Sequence, residues 1–504
     1  MRKRSIALRL IFPQVCVLAA VFIGGSSNNA MAFGFGRGFG GGMMARPMGP
    51  SPRLRLPPQR GGPVIGRGIP GPGPRAEPGP HRPPVIGGGA IGGGIAGGMI
   101  GGGAAGAAGP PPGGNNSGGS PVAQNNLPYI PDEIVVAFAA GTPPQAITQF
   151  AGRYNLTQVE TQNFALIGTS LYRWRIGGGR SVSSIVQALG SENIVASVQP
   201  NYRFVTQDEA DKPAATAQGD PSQYVLTELQ AAQAQQLATG KNVVIAVIDS
   251  EIDAHHPDLS GTVVKTYDAL DSKAAPHIHG TSMAGAIASH GKLLGVAPDA
   301  EILAIHALDG DSAAANGHSY AIYKALQWAS DNNARIINMS FAGPSDPTMT
   351  KLIAAAYAKG IVLIAAAGNG GPQAEPAYPA ADPDVIAVTA TDDKEHVFAM
   401  ANRGRYIAVA APGVDILSLA PGGAYQLSSG TSIAAAHVSG IAALLLEHKP
   451  SLRPADIRST LIATARQIGP PTPDSDFGAG LANAWRAITW LDRASPSAAA
   501  QVKQ

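Results

Sequence analysis

Between residues 133 and 204 the spacing of apolar positions changes several times. Glu133–Ala139 alternates as a strand does, and Pro144–Tyr154 repeats at helical spacing. Strand character returns near Thr157–Leu166 and again over Ser170–Ile176. Ser181–Leu189 reads as a second helix and Ile194–Phe204 as a last strand. The order β-α-β-β-α-β is the ferredoxin-like split pattern. Past about Gln223 the rhythm is different. Short apolar strands at Val243–Ile248, Ile302–Ile305, Ile336–Asn338, Ile361–Ala366 and Val385–Thr389 alternate with helical stretches. Several are continuously apolar, as expected of parallel strands buried on both faces. Functional residues are then expected just beyond the carboxyl ends of these strands.

Composition changes the picture only at the N-terminus. Of 504 residues, 63 are Gly and 42 are Pro, and they crowd into the first quarter. Residues 33–126 are too poor in buriable apolar surface to offset ordering entropy, so disorder is expected there. In its first half, Arg37, Arg46, Arg53, Arg55, Arg60, Arg67, Arg75 and Arg82 face the single acid Glu77. That arm reads as a solubilising linker or as a weak anchor on anionic cell-envelope polymers. Val85–Gly109 is uncharged, with glycines at small-xxx-small spacing. The helical cost of so many glycines favours a flexible linker there over a membrane helix.

Met1-Arg2-Lys3-Arg4, the apolar run Val15–Ile23 and Ala30-Met31-Ala32 have the order of a cleavable export signal, residues 1–32. An uncleaved anchor is the other reading, but the run is short for a span. The expected destination is periplasmic, cell-surface or extracellular. The only cysteine, Cys16, lies in that segment, so the processed chain would have no thiol nucleophile, disulfide or cysteine metal site. The net charge of +2 gives no case for nucleic acid as a partner.

Four residues carry candidate chemistry. Asp249 ends the strand Val243–Ile248; alone, it could equally be a turn former or helix cap. His279 opens the small-residue helix His279-Gly280-Thr281-Ser282-Met283-Ala284-Gly285; alone, it could be a surface or core histidine. Ser432, in Gly430-Thr431-Ser432-Ile433-Ala434-Ala435-Ala436-His437, lies in the first turn of a long apolar helix. Free N–H groups there favour developing negative charge, but helix-capping serines are also common. Asn369, in Gly368-Asn369-Gly370, could donate an amide to an oxyanion or simply make a turn.

Together, in the order Asp, His, Ser, these segments resemble the subtilases over roughly residues 223–490. The flanking His256-Pro257-Asp258-Leu259, Gly295-Val296-Ala297-Pro298, Asn338-Met339-Ser340, Tyr378-Pro379-Ala380, Ala410-Ala411-Pro412-Gly413 and Gly478-Ala479-Gly480 add to the likeness. The resemblance implies a subtilisin-like α/β fold, with a parallel sheet sandwiched by helices, and a serine endopeptidase acting through an acyl-enzyme. It assigns Asp249, His279 and Ser432 as the triad, with Asn369 and the Ser432 N–H as the oxyanion hole. Substrate is expected as an added strand beside Ser340, Phe341 and Ala342, with a key side chain between these and Ala366, Ala367 and Gly368. Ala342 stands where many relatives have Gly, so the pocket should be narrowed against the largest aromatics.

The family pattern also fills in the remaining organisation. Residues 127–207 resemble an inhibitory prodomain that would act on its own enzyme after self-cleavage. Residues 208–222 read as a polar connector, 223–491 as the peptidase domain and 492–504 as a tail. No cofactor is required for the chemistry. His255-His256 and His277-x-His279 lack a closing ligand set, so no metal site is assigned. Asp258 matches a calcium ligand of some relatives, but the adjoining loop, Ser289-His290-Gly291-Lys292, is shortened. Glu251, Ile433 and Ala436 replace the usual Gly, Met and Pro. The alternatives are a catalytically weak or inactive subtilase-fold surface binding protein, an acid-acting relative with a carboxylate as base, and an envelope structural protein.

Overall fold

The computed structural model describes residues 127–207, 209–213, 223–310, 314–471 and 474–493. The segment expected to be an export signal, the Gly/Pro-rich region expected to be disordered, most of the connector and the tail past 493 lie outside these. No helix among the described residues is long and apolar enough to cross a membrane.

The first unit runs β1 (Tyr129–Phe138), α1 (Pro144–Tyr154), β2 (Leu156–Phe164), β3 (Thr169–Ile176), α2 (Val182–Leu189) and β4 (Val195–Thr206). Its strands pair antiparallel in the order β2-β3-β1-β4, the ferredoxin-like arrangement. Alternation along β1 explains its packing. Ile134, Val136 and Phe138 pack under α1 and α2 with Phe150, Trp174, Ile185 and Leu189. Val135 and Ala137 face the other way, into a core shared with the unit that follows. The strand is therefore apolar at successive positions because both faces are covered.

The chain then continues through β5 (Glu209–Pro213), the short helices α3 (Tyr224–Glu228) and α4 (Ala231–Ala234), β6 (Val244–Asp249), β7 (Val263–Asp268), α5 (Ile278–Ala288), β8 (Glu301–His306), β9 (Leu308–Asp309) and β10 (Asn316–His318). It proceeds to α6 (Ser319–Asp331), β11 (Ile336–Met339), β12 (Phe341–Ala342), α7 (Pro347–Ala358), β13 (Val362–Ala366), β14 (Ile386–Thr391) and β15 (Ile407–Pro412). The last elements are β16 (Ile416–Ala420), β17 (Ala424–Ser429), α8 (Thr431–His448), α9 (Pro454–Thr464) and α10 (Ala484–Arg493).

Seven strands form one parallel sheet in the order β15-β14-β13-β11-β6-β8-β7. One face packs on α5 and α8 through Ile245, Val247, Met283, Ile287, Ile433 and Val438. The opposite face packs on α6 and α7, and there Phe164, Leu171 and Phe204 of the first unit join Tyr320, Tyr323 and Phe341. The hairpin β16–β17 did not stand out in the hydrophobic pattern. The segment read as an irregular polar connector begins as β5, antiparallel to β17. Its polar sequence carries no strand signal, because the pairing comes from a partner some two hundred residues downstream.

Candidate active site

Three carboxyl-edge positions converge. β6 delivers Asp249, fully buried, and the first turn of α5 delivers His279. His279 Nδ1 lies 2.6 Å from Asp249 Oδ1. The same oxygen accepts from the Ser250 N–H at 2.7 Å and from Ser250 Oγ at 3.1 Å. His277 caps α5, its Nδ1 accepting from the His279 N–H at 3.2 Å. The Gly280 N–H donates to Ser250 Oγ at 3.0 Å. These bonds join the end of β6 to the start of α5 and fix how the imidazole meets the carboxylate.

On the other side of the imidazole, His279 Nε2 is 3.1 Å from Ser432 Oγ, in the first turn of α8. Ser432 is also fully buried. Its Oγ lies 3.1 Å from the Ser340 carbonyl, and Ser340 Oγ donates to the Ser432 carbonyl at 3.0 Å. A helix start at this place presents backbone N–H groups without helical partners, and the positive end of the dipole.

Asn369 lies beyond β13, after Gly368, whose φ of +109° falls in the left-handed region. Thr431 fixes its side chain: Asn369 Oδ1 accepts from Thr431 Oγ1 at 2.8 Å and from the Thr431 N–H at 3.2 Å. With the oxygen so engaged, Nδ2 faces the cleft. Thr431 escaped the sequence reading because Gly-Thr-Ser drew attention to the serine alone.

The cleft is filled by the chain itself. The end of β4 lies between β10 and β12, antiparallel to both, with Val205 opposite Asn316 and Ala342, and Thr206 opposite Phe341. The Gln207 N–H reaches the Ser340 carbonyl at 3.4 Å. The Gln207 carbonyl oxygen accepts from Asn369 Nδ2 at 2.7 Å and from the Ser432 N–H at 3.4 Å. Beyond it, β5 pairs with β17. Phe204, fully buried, meets the Phe341 ring edge-on at 5.9 Å. A side chain on Gly343 would collide with that Phe204 ring. Ser340, Phe341 and Ala342 thus touch the strand directly. Ala366 and Ala367 are buried and, with Gly368, lead the chain to Asn369.

Near this site Glu251, a departure from the resemblance, finds a partner. Glu251 lies 3.8 Å from His306 Nδ1, which is 3.0 Å from Asp268 Oδ1. Burial pushes the Glu251 carboxyl up, with His306 and Asp268 acting in opposite directions on it. Asp258 accepts from the Leu293 N–H at 2.9 Å and from Tyr425 OH at 3.1 Å. His256 accepts the Asp258 N–H at 3.1 Å, and its other nitrogen lies 3.2 Å from the Ala424 carbonyl. Among the described residues, no group of three or more His, Cys, Asp or Glu side chains could hold a metal ion.

The first unit is tied to the second by a buried polar plug. Asp346 caps α7 through the Thr348 and Met349 N–H groups and accepts from Ser319 Oγ, Tyr323 OH and Gln199 Nε2 at 2.5, 2.6 and 2.8 Å. Thr348 Oγ1 donates to Gln199 Oε1 at 2.6 Å, and the Tyr320 N–H to Asn201 Oδ1 at 3.2 Å. Lys324 pairs with Glu160 at 2.8 Å.

Comparison with known proteins agrees with this architecture. The subtilase family profile matches residues 240–480, and that of the fervidolysin N-terminal prodomain matches residues 116–201. Subtilisin E of Bacillus subtilis (strain 168) is 38% identical over 296 residues, covering 56% of this chain and 74% of that protein. Thermitase of Thermoactinomyces vulgaris is 34% identical over 276 residues, covering 53% of this chain and 96% of that protein. The crystal structure of fervidolysin from Fervidobacterium pennivorans, a keratinolytic enzyme related to subtilisin, matches with a TM-score of 0.61 and 27% identity over 72% of this chain. The present chain spans 61% of that one. A parallel sheet of this order, preceded by a prodomain of the fervidolysin type and matched by relatives along most of their length, places the chain in the subtilase family of serine endopeptidases.

Proposed function

We propose that the protein is a serine endopeptidase whose first substrate is its own Gln207–Asp208 bond, and whose later substrates are polypeptides laid along the same cleft. One observation carries this reading: the Gln207 carbonyl oxygen is held by Asn369 Nδ2 and the Ser432 N–H. Donors so placed stabilise the charge that forms on a carbonyl oxygen under attack.

In this reading His279 takes the proton from Ser432 Oγ as that oxygen bonds to the Gln207 carbonyl carbon. Asp249 holds the Nδ1–H tautomer and stabilises the imidazolium. The C–N bond then breaks, His279 gives its proton to the departing Asp208 amine, and an ester joins Gln207 to Ser432. A water molecule, deprotonated by His279, hydrolyses the ester and leaves a Gln207 carboxylate. Holding the bond intramolecularly gives the first cut a high effective concentration. Residues 127–207 then remain as a product-like inhibitor through β4 and the polar plug. Export is part of the proposal, supported by the basic start, the apolar run and Ala30-Met31-Ala32.

Intact-mass analysis tests it. The wild-type chain should yield a fragment beginning at Asp208 and should then digest a denatured casein-like substrate. Ser432→Ala should remain joined at that bond and inactive. Cleavage of Ser432→Ala at the same bond in a protease-deficient host would remove the self-processing reading. Failure of the processed wild type, once separated from residues 127–207, to take up a fluorophosphonate would remove the peptidase reading.

A further inference from the structure

We infer that the subsite beside Ser432 reads a primary amide, so that the enzyme favours glutamine on the acyl side of the cut bond. The inference rests on the reading of Gln207–Asp208 as the bond presented to Ser432, and it deepens that reading by naming the side chain selected.

Asn369 spends two donors on one residue. Its Nδ2 donates to the Gln207 main-chain carbonyl at 2.7 Å, and its backbone N–H donates to Gln207 Oε1, also at 2.7 Å. The other end of the Gln207 amide is equally defined. Nε2 donates to the Val205 carbonyl at 3.1 Å and to the Thr206 carbonyl at 3.2 Å, both of the substrate strand itself. The orientation of this amide is therefore fixed at both ends. Reversing it would set N–H against the Asn369 N–H and oxygen against two carbonyls.

The clamp is rigid on the enzyme side. Thr431 holds Asn369 Oδ1 through two hydrogen bonds, and Thr431 Oγ1 accepts from the Gly368 N–H at 3.1 Å. The loop that supplies the oxyanion donor thus also supplies the side-chain donor, at a spacing set by one residue. Recognition and chemistry are coupled: a side chain that seats on the Asn369 N–H brings its carbonyl to Nδ2.

Other side chains fail for separate reasons. Glutamate would place a charged oxygen where Nε2 now lies, against two carbonyl oxygens. Leucine or methionine would leave the Asn369 N–H without its acceptor, and a site built to hydrogen-bond a group discriminates against analogues that lack it. Protonated glutamic acid, which carries one O–H donor and one acceptor, matches the amide's pattern. The penalty on glutamate should therefore shrink as its carboxyl, ordinarily near pH 4.3, takes up a proton.

The test uses the wild-type chain after its own processing and after residues 127–207 have been separated from it, with internally quenched peptides spanning Phe204 to Pro213 that carry Gln, Glu or Leu at the position of Gln207. The expected kcat/KM at neutral pH is at least about tenfold higher for Gln than for either other peptide. The Glu-to-Gln ratio should rise several-fold toward pH 4.5 while the Leu-to-Gln ratio stays flat. Equal rates for the three peptides, or a preference for Leu, would overturn the inference and leave self-processing standing. Processing at a different bond together with the stated Gln preference would keep the subsite and remove Gln207–Asp208 as the first cut. No hydrolysis of any peptide by the processed chain overturns both.

Discussion

A methyl group placed on Gly280 would collide with the carbonyl oxygen of Ser250. The helix that carries His279 therefore rests backbone against backbone on the end of the strand that carries Asp249. Gly280→Ala should push α5 outward and displace the imidazole from the carboxylate. A misplacement of about 1 Å can cost about 100-fold in turnover. Substrate kinetics of the processed variant should show that loss in kcat with a smaller change in KM, while circular dichroism reports an intact fold.

Asn369→Ala removes the Nδ2 donor while keeping the backbone N–H. About a 100- to 1000-fold drop in kcat is expected, with KM little changed. Self-cleavage should slow in parallel, read as the half-time for appearance of the Asp208 fragment. An unchanged rate would show that Nδ2 has no part in stabilising the developing charge.

Thr431→Val keeps the shape beside Asn369 but removes Oγ1, which donates to Asn369 Oδ1 and accepts from the Gly368 N–H. Losing a hydrogen bond of this kind should lower kcat by about tenfold. Thr431→Ser should restore most of it, which a loss caused by packing alone would not allow.

His437 is buried in α8 with its Nδ1 2.9 Å from the Pro412 carbonyl. Burial lowers its pKa to about 4, with the carbonyl opposing that shift. The unfolded chain, near 6.5, takes up this proton first as pH falls. Its contribution to stability is thus complete above about pH 6.5, declines between 6.5 and 4, and levels off below. The total loss is on the order of 3 kcal/mol. Denaturant midpoints of Ser432→Ala chains should drop over that window. Adding His437→Gln should reduce the dependence, and the part that remains includes His318, whose pKa burial likewise lowers to about 4.

Gln199 reaches from the prodomain to Asp346, Tyr323 and Thr348. Gln199→Leu would leave those buried groups short of partners on the prodomain side, at a cost of about 1–3 kcal/mol. Cleavage should proceed at a near-normal rate, but enzyme activity should appear earlier, with the prodomain held about tenfold less tightly. The delay between the mass change and the onset of casein-type digestion measures this.

Much of the fold was legible because its cores follow local rules. The continuous apolar runs Val243–Ile248 and Ile361–Ala366 read as parallel strands with both faces covered, and α1 and α2 declared themselves by period. Asp249, His279, Ser432 and Asn369 were each ambiguous alone and stood out only together, through their order and the local sequences that resemble the subtilases. Other features had no such marker. β5 is polar and becomes a strand only against β17. Gln207 looks like any glutamine at the end of the prodomain-like segment until Asn369 and Ser340 meet it. His277 had no role assigned in sequence; its ring caps α5 and lies 3.0 Å from Ser250 Oγ.

One strand, β4, belongs at once to the prodomain sheet and to the cleft. Hydrolysis of the bond after Gln207 would break a covalent link without removing any rung of either ladder. The interval between synthesis and first outside substrate would then be set by how long a folded domain takes to leave, not by the speed of the acyl-enzyme chemistry. Every molecule would carry one equivalent of its own brake from birth. Latency would be insensitive to how much protein is made and would depend on whatever destroys or dislodges that single domain.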